Sequence, residues 1–280
     1  MAWEIGAFCS IDAGLGVHLE VVKELGIPTI QLHAPHQNRR SQSAADDFRI
    51  RVADLGIQVT AVFGGFDDES YESIDIVKNS VGLVPPESRA SRLAEMKEIS
   101  DFARWLGCSV VGLHLGFIPE DSSDPEYAPI VSVTRELCKY ANDNGQSIHL
   151  ETGQESAEGL IQFITDTGTS NLFINFDPAN MILYGTGEPI PALQKLSKYV
   201  RSVHCKDATW SDRPGQTWGN EVPLGEGEVD IPLYLRTLNE IEYSGPLTIE
   251  REIPQDRERQ RNEIKHASNL LSSLKLEINS

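Results

Sequence analysis

Eight short runs of apolar and β-branched residues recur along this chain, and each is separated from the next by a longer segment. Several of these longer segments, such as RLAEMKEISDFARWLG and VSVTRELCKYANDNG, place apolar residues at helical spacings of three and four. Strict alternation of strand and helix predicts parallel strands joined by helical crossovers. The eight runs are WEIGAF, PTIQLH, IQVTAVF, SVVGLHL, SIHLE, LFINFD, VRSVHC and PLTIE.

Eight strand–helix units in a chain of 280 residues predict an α/β fold, a (β/α)8 TIM barrel, with residues 1–280 as a single domain. An open doubly wound sheet is the alternative, and it is disfavoured because no GxGxxG motif follows the first strand. Glycines that precede a predicted strand are expected to end helices in the left-handed conformation. These glycines are Gly26, Gly56, Gly107, Gly145 and Gly245.

The charge balance argues against a nucleic-acid partner. The chain carries 24 Lys and Arg against 42 Asp and Glu, a net charge of −18, whereas phosphate binding depends on clustered basic side chains. Four scattered cysteines without a CxxC pair favour a reducing, cytoplasmic setting. The amino-terminal stretch MAWEIGAFCSIDAG does not resemble an export signal, and no segment is apolar over a membrane-spanning length, so no membrane partner is expected.

Two connections are longer than usual and follow strand ends. Residues 66–88 come after the third predicted strand, and residues 207–230 come after the seventh. Barrel enzymes build their sites at this end of the strands. Both connections are therefore candidate walls or lids of a site, and a surface excursion without a role is the alternative for each.

Ionisable side chains follow most of the predicted strands at the point where each strand ends. Because the carboxyl ends of barrel strands meet around one mouth, these side chains are expected to converge. In strand order they are His33, His114, Glu151, Asp177, His204 and Glu250.

Three carboxylates in one barrel mouth need a compensating cation, because a buried carboxylate is unfavourable unless it is paired or bound to an ion. Glu151, Asp177, His204 and Glu250 form an oxygen-rich set that suits one divalent metal ion. Mn²⁺ is the expected ion, with Mg²⁺, Co²⁺ and Zn²⁺ as alternatives.

The stretch SVHCKDA adds a lysine to this set. Side chains alternate along a strand, so His204 and Lys206 are expected to point to the same side. Lys206 is predicted either to face the substrate or to neutralise the carboxylates as a structural counter-ion.

Five motifs carry a family resemblance that runs over nearly the whole chain: HLETGQE, NFDPAN, VHCKDA, PLGEGEVD and TIERE. The chain resembles the xylose isomerase-like barrel superfamily of sugar phosphate isomerases and epimerases, which includes ketose 3-epimerases, inosose dehydratase and endonuclease IV-type repair nucleases. In that family a metal is held by Glu, Asp, His and Glu from strands five to eight. The resemblance therefore implies that the metal ligands are Glu151, Asp177, His204 and Glu250.

Such a site suits an isomerase or epimerase acting on a sugar or polyol ketone. An α-hydroxy ketone can chelate the metal, which stabilises the enediolate formed when the intervening C–H proton leaves. Glu151 and Glu250 are predicted to carry the proton, one removing it and the other returning it. Loss of a β-hydroxyl from the same enediolate would instead give dehydration, so a lyase of the inosose dehydratase type is the alternative.

Departures from the family pattern bear on the choice. Ketose 3-epimerases usually carry a histidine where this chain has Asn180 and an arginine where it has Trp210, although Arg213 lies close by. An endonuclease IV-type nuclease needs additional metal-binding histidines, and residues 207–230 contain none. That nuclease and a non-catalytic sugar-binding barrel are the less favoured alternatives. A homo-oligomer is a further possibility, because the sequence pattern of an outer helix face is the same whether or not that face contacts another subunit.

The substrate is expected to be an uncharged sugar, polyol ketone or glycoside. No loop resembles a phosphate cradle, and the predicted mouth already carries three carboxylates. The residues predicted to contact the substrate are Lys206, His114, Arg213, His33 and Asn180.

The strand-end ligands predict one divalent ion per chain. Elemental analysis after chelation and re-loading should find this ratio, and Asp177→Ala or His204→Ala should abolish binding because each change removes a ligand. Two or three ions per chain would contradict the prediction and favour the nuclease.

Overall fold

A computed structural model describes residues 3–11 and 15–278, and its central feature is a closed barrel of eight parallel strands. The eighth strand closes the barrel by pairing with both the first strand (Ile5 opposite Leu247) and the seventh (Thr248 opposite His204). Each of the eight predicted runs contributes one strand. In chain order the strands are Ile5–Ser10, Thr29–His33, Gln58–Gly64, Val110–Leu113, Ser147–Glu151, Leu172–Phe176, Val200–Cys205 and Leu247–Ile249.

Helices surround the barrel, and several begin where a serine side chain replaces missing helical hydrogen bonds. Ser41, Ser73 and Ser156 each accept a hydrogen bond from the backbone N–H three residues later. The helices are Leu19–Glu24, Gln42–Asp54, Ile74–Ser80, Arg89–Leu106, Tyr127–Asp143, Ala157–Thr167, Pro178–Tyr184, Pro189–Leu196, Ile231–Glu240 and Arg257–Ile278, with a short 3₁₀ turn at Gln37–Arg39.

Alternation along the strands separates an apolar outer face from a polar interior. On the second strand Ile30 and Leu32 are fully buried in the main hydrophobic core. Gln31 points the opposite way, and its Nε2 donates to Oδ1 of Asn175 on the sixth strand at 3.2 Å. A bond between the second and sixth strands crosses the barrel, so the interior is occupied in part by hydrogen-bonded polar groups.

Backbone and side-chain hydrogen bonds hold the connection at residues 66–88 against the barrel. Leu83 N donates to Leu115 O at 2.9 Å, just beyond the fourth strand. The buried Arg92 donates to Gly82 O at 2.7 Å and to the Asp68 carboxylate at 2.8 Å. These bonds hold the connection as a fixed wall on one side of the barrel mouth.

The connection at residues 207–230 is organised by one carboxylate. It contains two short antiparallel strands, Asp207–Thr209 and Asn220–Val222. The Asp207 carboxylate then accepts hydrogen bonds from the backbone N–H groups of Gly225, Gly227 and Val229, at 2.9 to 3.2 Å. The glycine-rich loop is therefore folded around Asp207.

The predicted α/β class and (β/α)8 barrel are confirmed, with one local correction. Gly26, Gly56, Gly107 and Gly145 have the predicted left-handed conformation, but Gly245 does not, and Glu242 has a positive φ of 58° instead. A side chain at position 245 would meet the Tyr243 ring, so close packing is what favours glycine there.

The predicted domain of residues 1–280 includes positions 1–2, 12–14 and 279–280, which lie outside the described residues. Among the helices described, none combines the length and apolar character needed to cross a bilayer.

Gly82 and Gly56 provide a matched test of how the wall is held. Both have a left-handed backbone, with φ of 72° and 68°, but a Cβ at Gly82 would lie 2.0 Å from Leu115 O, whereas one at Gly56 would meet nothing within 4 Å. Gly56→Ala should lower the free energy of unfolding by about 1 to 2 kcal/mol through backbone strain. Gly82→Ala should lose a further 1 to 3 kcal/mol, roughly, through steric overlap. Urea denaturation measures both, and equal losses would contradict this account.

Candidate metal centre and active-site cavity

Four buried side chains converge at the carboxyl ends of strands five to eight. Each offers one ligand atom, and these atoms all lie within 4.8 Å of one another. The distances from His204 Nδ1 are 3.1 Å to Glu151 Oε1, 3.3 Å to Asp177 Oδ2 and 3.1 Å to Glu250 Oε2. We call these four residues the carboxylate–histidine cluster. They are the four residues that the sequence predicts as ligands.

The ring of His204 is oriented by a chain of two amides. Its Nε2 lies 2.7 Å from Gln31 Oε1, and Gln31 in turn donates to Asn175. Because an amide oxygen only accepts, the Nε2 atom carries the proton. Nδ1 is then the ring atom that faces the three carboxylates, and its lone pair would become available to a metal ion that displaces the Nδ1 proton, which is the arrangement that metal-binding histidines require.

Asp177 is positioned by the start of a helix. It follows the sixth strand, and its Oδ1 accepts a hydrogen bond from Asn180 N at 3.0 Å, so it caps the helix Pro178–Tyr184. Proline at the first helical position favours this start, because its absent N–H would have no helical partner. The second carboxylate oxygen remains directed at His204.

Asn180 and Lys206 link the carboxylates of the cluster. Asn180 Nδ2 donates to Glu151 Oε1 at 3.0 Å, and Lys206 Nζ lies 3.1 Å from Glu250 Oε2, 3.1 Å from Glu252 Oε1 and 3.3 Å from Asn180 Oδ1. Burial would lower the pKa of Lys206, but the surrounding carboxylates hold it well above its ordinary value. The ammonium group is therefore engaged as a counter-ion in this structure.

His114 contacts the second oxygen of Glu151. Its Nε2 lies 3.2 Å from Glu151 Oε2, while its Nδ1 accepts from Gln154 Nε2 at 3.2 Å. The Gln154 donor fixes the His114 proton on Nε2, which then donates to Glu151. Both oxygens of Glu151 thus have defined partners.

Burial and charge act in opposite directions on the cluster. Burial raises the pKa of Asp177 to about 6, although the Lys206 charge opposes the rise. Burial acts in the same direction on Glu250, but the positive charges of His204 and Lys206 hold its pKa well below the usual value. For His204 burial lowers the pKa, and the Glu250 and Glu151 carboxylates outweigh it and raise it well above the usual value. The carboxylates therefore favour a positive charge at the Nδ1 position.

A divalent metal ion fits this donor set. A proton on Nδ1 can be shared well with one acceptor, whereas three carboxylate oxygens lie at 3.1 to 3.3 Å from that atom. An ion with several coordination positions can satisfy all three oxygens and the imidazole lone pair together. The cluster could hold a divalent metal, and its binding of one stays a prediction.

A cavity of about 270 Å³ opens beside the cluster. Its volume is close to the lower end of the range of about 300 to 1,000 Å³ that is typical of small-molecule sites. Glu151 and Glu250 line it, whereas Asp177 and His204 lie beneath its surface, fully buried. The wall consists of Phe8, Leu15, Gly16, His33, Phe63, Gly64, Gly65, Glu69, Tyr71, His114, Glu151, Glu250 and Glu252.

The five residues predicted to contact the substrate lie in three different environments. His33 and His114 line the cavity. Asn180 and Lys206 are buried and occupied with carboxylates of the cluster and its neighbours. Arg213 is exposed in the loop between the two short strands, and across the described residues no hydrogen bond or ion pair joins it to the cluster. The assignment of substrate contacts stays a prediction.

Several cavity and support residues are absent from the predicted set. Gln31 lies inside a strand rather than at its end, although a polar residue two positions before His33 in an apolar run indicates an inward face. Glu69 and Tyr71 belong to the irregular segment after the third strand, which carries no periodic pattern. Glu252 follows Glu250 by two residues, the same spacing that unites His204 and Lys206.

A family model described as a xylose isomerase-like TIM barrel matches residues 19–274 of the chain. A crystal structure of a xylose isomerase domain protein from Planctomyces limnophilus is 56% identical, with a TM-score of 0.98 over 100% of this chain and 99% of that one.

Two curated relatives are more distant. An L-ribulose 3-epimerase from Methylomonas sp. (strain DH-1) is 28% identical over 51% of this chain and 48% of its own length. An inosose dehydratase from Clostridium beijerinckii is 23% identical over 46% of this chain and 48% of its own length. The chain spans about half the length of the curated relatives it matches.

Gln31 is expected to control metal affinity through His204. Gln31→Met should weaken binding of Mn²⁺ by about 10- to 100-fold, because the ring loses the acceptor that fixes its proton on Nε2. Competition with a chromophoric chelator measures the dissociation constant without any assay of turnover. Gln58→Met, at an exposed strand start, is the control and should leave affinity unchanged. Equal affinity of Gln31→Met and the wild type would contradict the role of Gln31.

Proposed function

The chain belongs to the xylose isomerase-like TIM barrel family, and we propose that it is a divalent-metal-dependent isomerase or epimerase of a sugar or polyol ketone. One observation supports this most directly. Glu151 and Glu250 both line the cavity and both contact the same atom, His204 Nδ1. Two carboxylates are thus available to a substrate beside the position that a metal ion would occupy.

The reaction requires the transfer of a proton at a carbon next to a carbonyl group. When bound, a divalent ion would supply a Lewis acid that stabilises negative charge on adjacent substrate oxygens. Glu151, Asp177, His204 and Glu250 are the residues that would hold it. The protein must then provide a base to remove the C–H proton and an acid to return it.

Glu151 and Glu250 are the proposed proton carriers. They come from the fifth and eighth strands, with the sixth and seventh strands between them. His114 and Asn180 hold the two oxygens of Glu151, and Lys206 holds Oε2 of Glu250. These contacts restrict rotation of both carboxylates, so that each can approach a bound substrate from a fixed direction.

Where the proton returns determines the product. Return to the opposite face of the same carbon gives an epimer, and return to the neighbouring carbon, with the hydroxyl proton transferred to the other oxygen, gives an aldose–ketose isomerisation. The L-ribulose 3-epimerase relative supports the first outcome. The inosose dehydratase relative supports a second candidate function, a lyase in which the same proton removal is followed by loss of a β-hydroxyl.

Replacing either glutamate by glutamine tests the mechanism. Glu151→Gln and Glu250→Gln should each reduce turnover by about 10² to 10⁴, because the amide keeps the shape but cannot accept the proton. In deuterated water, the variant that retains the abstracting glutamate should still exchange the hydrogen of the acidic carbon without completing the reaction. The variant that lacks the abstracting glutamate should do neither.

The control for this pair is Glu226→Gln, an exposed glutamate that does not line the cavity and should leave turnover unchanged. Metal content must be measured alongside each variant. If metal is retained and hydrogen exchange proceeds at the wild-type rate in both glutamine variants, then the two-glutamate mechanism is wrong.

A further inference from the structure

One carboxylate in the cavity wall lies outside the carboxylate–histidine cluster and on a different segment from Glu252, which binds Lys206. Glu69 lies in the segment after the third strand and lines the same cavity as Glu151 and Glu250. The proposed proton transfer does not use it. A carboxylate in a sugar-sized cavity is a strong acceptor for hydroxyl groups, so its surroundings bear on which substrate fits.

Glu69 is held in place by two backbone donors. Gly82 N donates to Oε1 at 2.7 Å, and Phe66 N donates to Oε2 at 3.2 Å. Gly82 is itself fixed, because Arg92 donates to its carbonyl oxygen. Burial raises the pKa of Glu69, and the two N–H donors act against that rise by stabilising the ionised form.

The carboxylate keeps capacity for further bonds. An ionised carboxylate offers about four acceptor positions, and backbone N–H groups occupy two of those of Glu69. The remaining acceptor positions are available to hydroxyl groups of a molecule in the cavity. Glu69 is therefore both an anchor of its own segment and an acceptor that the cavity can use.

Apart from a metal ion at the carboxylate–histidine cluster, no basic side chain of the described cavity wall could compensate an anionic ligand. Of the described residues that line it, none is a lysine or an arginine, and four are glutamates. Lys206 lies behind Glu250 and Glu252 and binds both. The guanidinium of Arg92 is engaged by Gly82 O and Asp68. A phosphate in the part of the cavity near Glu69 would thus face carboxylates without a basic side chain to pair with.

We propose that Glu69 is a specificity-determining residue that accepts hydrogen bonds from hydroxyl groups of a neutral polyol ketone away from the reacting carbon, and that its charge excludes phosphorylated or carboxylated analogues. This inference rests on the proposed function for the identity of the substrate class. The preference of the cavity for neutral over anionic ligands can be measured by binding, without an assay of turnover.

Calorimetric titration of the Mn²⁺-loaded protein separates hydrogen bonding from charge. The test ligands are the ketohexoses D-fructose, D-tagatose and D-sorbose, together with D-fructose 6-phosphate. The wild type should bind at least one neutral ketohexose and should bind the phosphate ester at least 10-fold more weakly. Glu69→Gln should bind the neutral ligand about 10-fold more weakly, the loss expected for a hydrogen bond to a charged group, and should discriminate less against the ester.

Two further variants distinguish specificity from loop structure. Glu69→Asp keeps the charge but withdraws the acceptor, so it should lose neutral-ketose affinity and still reject the ester. Glu72→Gln, on the same segment but exposed and outside the cavity wall, should behave as the wild type. A merely structural role of Glu69 would instead lower the melting temperature and weaken both kinds of ligand by the same factor.

Three outcomes would overturn the inference: no binding of any neutral ketohexose, preference of the wild type for the phosphate ester, or an unchanged ratio of affinities in Glu69→Gln. Failure of the proposed function has a different signature. In that case neutral ketoses would bind with the predicted dependence on Glu69, but no hydrogen exchange and no product would form.

Discussion

The residues around the barrel mouth are arranged so that they offset the repulsion among three buried carboxylates. Glu151, Asp177 and Glu250 all approach one imidazole nitrogen of His204, and burial would penalise all three charges if no cation were present. The surrounding residues supply positive charge or hydrogen-bond donors to these carboxylates at each side. Lys206 contacts Glu250, and Asn180 contacts Glu151. The negative charge that these contacts leave uncompensated lies between the carboxylates, where a metal ion fits.

The closed barrel makes this concentration of charge tolerable. Strands five to eight deliver one ligand each because the carboxyl ends of parallel strands meet in one place. The interior below the ligands is also polar, and Gln31 and Asn175 form a bridge across it to His204. The main apolar core packs the strands against the helices, whereas the smaller buried cluster of Phe8, Ala61 and Phe63 is separate from it. Fold and site therefore use opposite faces of the same strands.

The sequence was sufficient to predict the barrel and the four converging side chains, because both follow from regular periodicity. A residue at a strand end, such as Asp177 or Glu250, has its position determined by the strand itself. Glu69 could not be predicted in this way, since its position depends on an irregular path fixed by Gly82 and Leu115. The partners of Lys206 were likewise undetermined, because both a substrate and neighbouring carboxylates satisfy an ammonium group. Gly245 shows that two different constraints, close packing and a left-handed backbone, both favour glycine. The sequence alone does not tell which of the two applies at a given position.

Anomalous diffraction from a crystal soaked in Mn²⁺ tests the central claim most directly. Data collected at the manganese absorption edge should show one strong peak per chain, bounded by Glu151, Asp177, His204 and Glu250. The peak should lie beside the cavity that Glu151 and Glu250 line. No peak at this position, with His204 Nδ1 still bonded directly to the carboxylates, would contradict the account. Such a result would mean that protonated His204 and Lys206, without a metal ion, are the only positive charges that the three carboxylates meet among the described residues.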